Sequence, residues 1–288
     1  MTPAAYCQSK VALPGSSLYY SLWSLPTGQR QALTALYALQ RELAELSVEC
    51  QNPAVAQRKL QWWREEIPRL FMRRARHPVT QALAASLERF TVPAEDLQTL
   101  LDGVAMDLDY DRYPSFQELS LYCQRMGGST GVLAAEILGY RDPRTRRFAH
   151  TLGLAQQLLR LLRNILPAAR RGRYYLPEDE LRRFGIDPEA LLKTRTTPAL
   201  KEMFQFQTAR IRDYQSQALR LLPEQDRYAQ RSTLIQAELS AQLLVAIEAD
   251  GYRLLEHHLS LTPLRKFWIA WRMLRRERRR QRHYQPAT

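Results

Sequence analysis

The sequence predicts an all-α protein. Glycine is scarce, at 11 of 288 residues, which disfavours a turn-rich β architecture. Ala, Leu, Gln, Arg and Glu dominate, and all are good helix formers. Apolar residues recur every three or four positions, and no strand-like alternation persists. Hydrophobic residues make up 45%, enough for a buried core. No linker is long enough to split the chain, so one domain is expected.

Residues 1–15 read as a flexible arm. A helix over 27–48 follows, with Thr27 placed to cap it and Leu36, Leu39, Leu43 and Leu46 forming one buried stripe. Asn52-Pro53 separates it from a helix over 54–72, and His77-Pro78 breaks the chain again. Helices are expected over 79–90, 94–110, 115–125 and 131–138. Asp142-Pro143 starts a strongly apolar helix over 144–166, which Pro167 ends or kinks. Residues 172–185 read as a loop, and 188–193, 198–222, 227–251 and 264–283 as the last helical stretches. The expected organisation is an arm over 1–15, a helical domain over 16–273 and a basic tail over 274–288.

The net charge is +13. Residues 264–285 hold nine Lys or Arg against one acid, Glu277, a net +8, so the body is only mildly basic. Phe267, Trp271 and Leu274 are spaced four and three, giving a basic amphipathic helix with tryptophan. That pattern suits an anionic membrane surface, with a solvated tail as the plain alternative; nucleic acid is not the expected partner. Cys7, Cys50 and Cys123 lie far apart, with no metal spacing and no disulfide framework, as in a reducing compartment. No signal peptide and no unbroken apolar run of transmembrane length are visible. The expected location is cytoplasmic, peripheral at the inner face of the membrane.

Catalytic Ser/His/Asp and Cys/His patterns and a phosphate-cradling glycine loop are absent. Asp107, Asp109 and Asp111 alternate by two, which spreads them around a helix. His77, His257 and His258 lack metal-ligand partners, and Trp62-Trp63 read as core.

Several segments, in order, resemble the squalene/phytoene synthase family, and within it presqualene diphosphate synthases. They are Ser16-Ser17-Leu18-Tyr19-Tyr20, Tyr37-Ala38-Leu39-Gln40-Arg41-Glu42, Trp62-Trp63-Arg64-Glu65-Glu66, Met106-Asp107-Leu108 with Arg112-Tyr113, and Tyr122-Cys123 before Gly127-Gly128. Arg163-Asn164, Gly172-Arg173-Tyr174-Tyr175-Leu176-Pro177 and Leu261-Thr262-Pro263-Leu264-Arg265-Lys266 complete the set. The resemblance implies an isoprenoid synthase type bundle around a central apolar cavity. It implies head-to-head joining of two prenyl diphosphates, with Mg²⁺ held by two aspartate-rich motifs. By the same resemblance, Ser16, Ser17, Arg41, Arg112, Arg163 and Arg173 would bind the diphosphate, and Tyr122 and Tyr175 would line the reaction cavity. For the two tyrosines, plain core packing is the alternative.

The motifs themselves depart from the family. The first motif's three aspartate places hold Ala44, Glu45 and Val48, so Glu45 is its one surviving carboxylate. The second motif's places hold Arg160, Asn164 and Ala168, with Pro167 where the family has Glu. A guanidinium at a metal-ligand place repels a divalent cation. No metal cofactor is therefore expected. Glu42, Glu45 and Glu49 share a helix face, a spacing that suits one ion, but a solvated acidic face paired with basic neighbours is the preferred reading. Arg41, Arg160 and Arg163 offer a metal-free alternative, since guanidinium forks match phosphate oxygens. The expected function is a non-catalytic binder of an isoprenoid diphosphate, a prenyl chain or a partner, an intact family enzyme being the candidate partner. The alternative is an active prenyltransferase joining two farnesyl diphosphates with arginine-led diphosphate binding, the one case that calls for Mg²⁺.

Overall fold

The computed structural model describes residues 1–49, 52–193 and 195–284, with no description of the Glu49 side chain. Among the described residues it is helical throughout, with a single isolated bridge between Arg112 and Tyr174. The first half comprises α1 (Pro3–Val11), α2 (Ser17–Leu22), α3 (Thr27–Glu49), α4 (Pro53–Phe71), α5 (Pro78–Ala84), α6 (Ala94–Asp109) and α7 (Phe116–Cys123). The second comprises α8 (Ser129–Leu138), α9 (Arg144–Arg163), α10 (Ile165–Ala169), α11 (Glu178–Arg183), α12 (Pro198–Leu221), α13 (Arg231–Ala249) and α14 (Pro263–Tyr284).

Local chemistry explains the boundaries. Asn52 accepts from the Ala54 amide at 2.9 Å, and Ser115 and Thr197 cap α7 and α12 in the same way. His77 caps α5 through Nδ1, which accepts from the Val79 amide at 3.2 Å. Pro167 has no N–H to offer the Arg163 carbonyl, and the long apolar helix breaks at Asn164, three residues before it.

α9 lies at the centre, packed against α8 and α12, while α3 is flanked by α1, α5, α6 and α8. α7 runs into a π-turn, Gln124–Gly128, and then directly into α8. This turn passes α9 at backbone distance. A Cβ on Gly153 would stand 2.1 Å from the Gly127 carbonyl oxygen, and one on Gly127 2.2 Å from the Gly153 oxygen. Only glycine fits at this crossing, which fixes the cavity-facing side of α9 against Tyr122.

Four expectations need correction. The arm is not loose: α1 packs on α3 and α5, with Cys7 1% exposed. Its anchors are polar contacts to distant residues, which no local apolar pattern announces. The tail does not separate after residue 273. α14 continues to Tyr284, burying Met273, Leu274 and Glu277, and Arg227 Nη2 pairs with Glu277 Oε1 at 2.9 Å. The expected helices 115–125 and 131–138 are joined by the π-turn, because glycine here serves close packing rather than a break. The expected loop over 172–185 contains α11.

Gly153→Ala forces a methyl into a carbonyl oxygen on the facing backbone. The expected loss is about 1–3 kcal/mol of stability, the usual scale for overpacking a tight interface. A lowered urea midpoint at unchanged slope is the readout; an unchanged midpoint would contradict the crossing.

Candidate functional site

α3 presents Tyr37, Gln40, Arg41 and Glu45 along one side, at helical spacing. α9 faces it with Gln156, Arg160 and Arg163, spaced four and three. Leu239 and Leu243 of α13 add an apolar wall. Together these elements line an open cavity of about 800 Å³.

One end rests on a buried carboxylate. Asp107 is 3% exposed and accepts from the Tyr113 hydroxyl and the Tyr175 hydroxyl, each at 3.0 Å. Burial raises the Asp107 pKa despite these donors and the nearby Arg173. The Tyr113, Tyr122 and Tyr175 rings pack together with centroids 5.6–6.0 Å apart. Burial, then the Asp107 charge, pushes all three phenols above their ordinary pKa, so they stay protonated donors at neutral pH. Arg173 Nε donates to the Ser47 carbonyl at 2.9 Å, and Nη1 donates to the carbonyls of Asp107 and Tyr110. It thereby ties the last turns of α3 and α6 together.

The opposite rim is set by α1. Lys10 Nζ lies 2.6 Å from Glu42 Oε1 and 2.6 Å from Glu45 Oε2. Arg41 Nε donates to Glu45 at 2.8 Å, and Arg41 Nη1 to the Lys10 carbonyl at 3.0 Å. Burial opposes charge on Lys10, but hydrogen bonds and charge from Glu42 and Glu45 push its pKa up to about 12. Burial likewise works to raise Glu45, yet Lys10 and Arg41 hold it below the ordinary carboxylate value.

These residues do not fit the magnesium cluster that the sequence resemblance implies. The two described carboxylates of α3 already share an ammonium. Across the cavity stand Arg160, Asn164, Pro167 and Ala168, none of them an anionic ligand. Among the described residues, no three His, Cys, Asp or Glu side chains converge as metal ligands. Glu49, the third member of the suggested acidic face, lies outside the described side chains.

Ser17, Arg41, Glu45, Tyr122, Arg163, Arg173 and Tyr175 all reach the cavity lining. Two others do not. Ser16 caps α2, accepting from the Tyr19 amide at 3.1 Å. Arg112 stacks 4.7 Å from the Tyr174 ring and lies 4.0 Å from Glu178, outside the lining. Arg173 faces the cavity but spends its donors on backbone carbonyls. Arg163 Nη2 donates to the Leu259 carbonyl at 3.0 Å, its Nε is buried without a partner, and burial lowers its pKa. Among the described residues, Arg160, Arg163 and Arg171 have no carboxylate within ion-pair distance. The sequence reading missed Lys10, which has no local signal, and Gln156, which shares the face of Arg160 and could have been found by spacing.

Comparisons with known proteins agree with the fold. A family model described as squalene/phytoene synthase matches residues 11–266. The phytoene synthase of Mycobacterium tuberculosis is 31% identical over 261 residues, covering 88% of this chain and 84% of its own. The 15-cis-phytoene synthase of Synechococcus elongatus is 29% identical, with 85% and 84% covered. Among solved structures, a dehydrosqualene synthase in complex with ligand superposes with a TM-score of 0.81 at 21% identity, over 98% of this chain and 97% of the other. A squalene synthase from Alicyclobacillus acidocaldarius gives 0.72 at 22% identity, over 87% and 94%. At these identities the structural likeness shows the fold, a helical bundle of isoprenoid synthase type.

Lys10→Met leaves Glu42 and Glu45 facing each other without their shared cation. The expected cost is about 1–2 kcal/mol at neutral pH, the scale for partly buried ion pairs. Because Glu45 has a lowered folded pKa, its stabilisation is full above the ordinary value of 4.5 and is lost as pH falls below it. Thermal melts from pH 7 down to pH 3 should show the gap between wild type and variant closing on acidification; a constant gap would refute the pairing.

Proposed function

The chain belongs to the squalene/phytoene synthase family, and from that premise we propose that it binds an isoprenoid diphosphate in the α3–α9 cavity without a magnesium cluster and does not run metal-dependent head-to-head condensation. The observation that carries this reading is Lys10, whose ammonium sits 2.6 Å from both Glu42 and Glu45. With Arg41, which pairs with Glu45 at 2.8 Å, it balances the two described carboxylates on the side where the family would anchor divalent ions. Arg160, Arg163 and Arg171 supply positive charge in their place. Guanidinium forks give bidentate hydrogen bonds to phosphate oxygens. The apolar wall from α13 offers a path for the prenyl chain, and the cavity volume of about 800 Å³ leaves room for one.

Under this reading the protein holds or presents a prenyl diphosphate in isoprenoid metabolism of the squalene or hopanoid type. Service beside an intact enzyme of the same family fits such a role. No helix among the described residues is long and apolar enough to cross a membrane. We place the protein in the cytoplasm, where its basic last helix can meet the anionic inner face of a membrane.

A second reading keeps catalysis, with two farnesyl diphosphates joined under arginine-led diphosphate binding. Arg160 and Arg163, with no carboxylate within ion-pair distance among the described residues, and the protonated Tyr122 and Tyr175 at the far end of the cavity favour it. Labelled farnesyl diphosphate separates the two. Incubation with Mg²⁺ should leave the substrate unchanged, and formation of presqualene diphosphate would select the second reading instead.

Binding is tested independently of turnover. Calorimetric titration with farnesyl thiolodiphosphate in EDTA should give the same affinity as with Mg²⁺. Arg160→Ala should weaken it about 10–100-fold, the scale of a lost charge-assisted hydrogen-bonding group. Binding that appears only with Mg²⁺ would sink the metal-free reading.

A further inference from the structure

α14 carries two opposed faces. Ile269, Ala270, Met273, Leu274 and Glu277 are buried on the side toward α2 and α13. The opposite side starts apolar and ends cationic. Leu264 is 68% exposed and Trp268 55% exposed. Trp271 follows, edge-on to Trp268 at 5.2 Å, and Arg275 lies 4.6 Å over the Trp271 ring. Arg279 and Arg282 continue the same face at helical spacing, and both are exposed.

The aromatic end is wider than one helix. Phe267 touches Trp23, the residue that ends α2, at a ring separation of 5.4 Å. Trp23 is 38% exposed and Tyr19, one turn earlier, 37%. Two helices therefore offer tryptophan and tyrosine to solvent side by side, an expensive arrangement in water. The cationic end is largely unneutralised. Arg272 pairs with Glu238 and Arg280 with Glu224, but among the described residues Arg275, Arg276, Arg278, Arg279 and Arg282 have no carboxylate within ion-pair distance.

We propose that the α2–α14 surface docks on an anionic phospholipid bilayer, with Trp23, Leu264 and Trp268 in the interfacial layer and Arg275, Arg279 and Arg282 against lipid phosphates. The proposal sharpens the membrane placement given above and rests on it, but not on the diphosphate-binding cavity. Tryptophan and tyrosine favour the boundary between headgroups and acyl chains, since the ring is apolar and its N–H or O–H stays hydrated. Arginines in register with them on one helix face match the phosphate plane. A nucleic-acid duplex would call for the cations alone and leave Leu264 and Trp268 without a role. The helix axis then lies along the surface, because α14 is committed to the bundle on its opposite face from Lys266 to Glu277.

Full-length protein is sedimented with vesicles of 3:1 phosphatidylcholine and phosphatidylglycerol, and with pure phosphatidylcholine. Binding is expected to the anionic vesicles, with a blue shift in tryptophan emission, and to be at least tenfold weaker to the neutral ones. A variant carrying Arg275→Gln, Arg279→Gln and Arg282→Gln should lose at least tenfold in partition, and Leu264→Ser with Trp268→Ser should lose the blue shift. Both variants should retain farnesyl thiolodiphosphate binding at wild-type affinity, which certifies their fold and separates this surface from the cavity. If wild-type protein turns out not to bind that ligand, unchanged helical circular dichroism certifies the fold instead. Equal partition into neutral vesicles, wild-type partition by the arginine variant, or binding of duplex DNA in place of vesicles would each overturn the proposal.

Discussion

The structure depends on one close approach, the crossing of the Gly127 and Gly153 backbones. Helices ordinarily pack at 8–10 Å because side chains hold them apart. Here each backbone meets the other's carbonyl with no room for a Cβ. The closeness determines where α9 lies relative to α7, and therefore how Gln157 stands toward the Tyr122 hydroxyl, 3.5 Å away. One turn further along α9, Arg160 acts on the Tyr122 and Tyr175 phenols and partly offsets the effect of burial. The positive charge of the cavity is thus placed by glycine packing rather than by any contact that the arginine makes.

Charge then decides what the bundle can hold. α3 and α9 face each other with opposite tendencies, but the acidic side is already balanced internally by Lys10 and Arg41. What remains toward the cavity is an excess of guanidinium. On the proposed reading an anion gains on entry, whereas a divalent cation would meet repulsion from Arg160 and competition from an ammonium held at 2.6 Å. The chain ends are fastened by the same kind of contact. α1 is held through Lys10, and α14 through Glu277, whose carboxylate is buried and receives Arg227. Each is a charged pair placed where the surrounding helix is too polar to dock by apolar burial alone.

Much of this was legible in the sequence, and the limits have physical causes. The leucine stripe of α3 and the apolar run of α9 reveal helices because burial imposes a 3.6-residue period. Pro167 announces the break at Asn164. Arg160 and Arg163 fall on one face by spacing, and Glu45 can be recognised as an isolated survivor. Lys10 could not be found this way. Its partners lie more than thirty residues away on another helix, and α1 has only one buried residue, Cys7. Glu277 misleads in the opposite direction, because an acid in an arginine run ordinarily marks a solvated face. Asp107 could be singled out, but its second tyrosine, Tyr175, stands 68 residues on and is delivered by the loop after α10. Arg112 shows the cost of reading a role from order alone: it keeps its place in the chain while its side chain stacks on Tyr174 outside the cavity.

The same charge pattern bears on whether binding can become catalysis. Ionising an allylic diphosphate requires stabilisation that grows as the C–O bond breaks and negative charge accumulates on the leaving group. Several divalent ions around one diphosphate provide such a gradient. The proposed reading takes the guanidiniums of the cavity as holding the intact diphosphate, with no contact reserved for the departing one. Binding of that uniform kind lowers the energy of the complex and of the transition state together and leaves the barrier between them where it was. The tyrosines around Asp107 do not change this balance. They remain protonated; the Tyr113 and Tyr175 hydroxyls donate to Asp107, and the Tyr122 hydroxyl stands 3.5 Å from the Gln157 amide. On the reading proposed above, a cavity of this composition keeps a prenyl diphosphate intact, with Lys10 occupying the acidic side of the bundle.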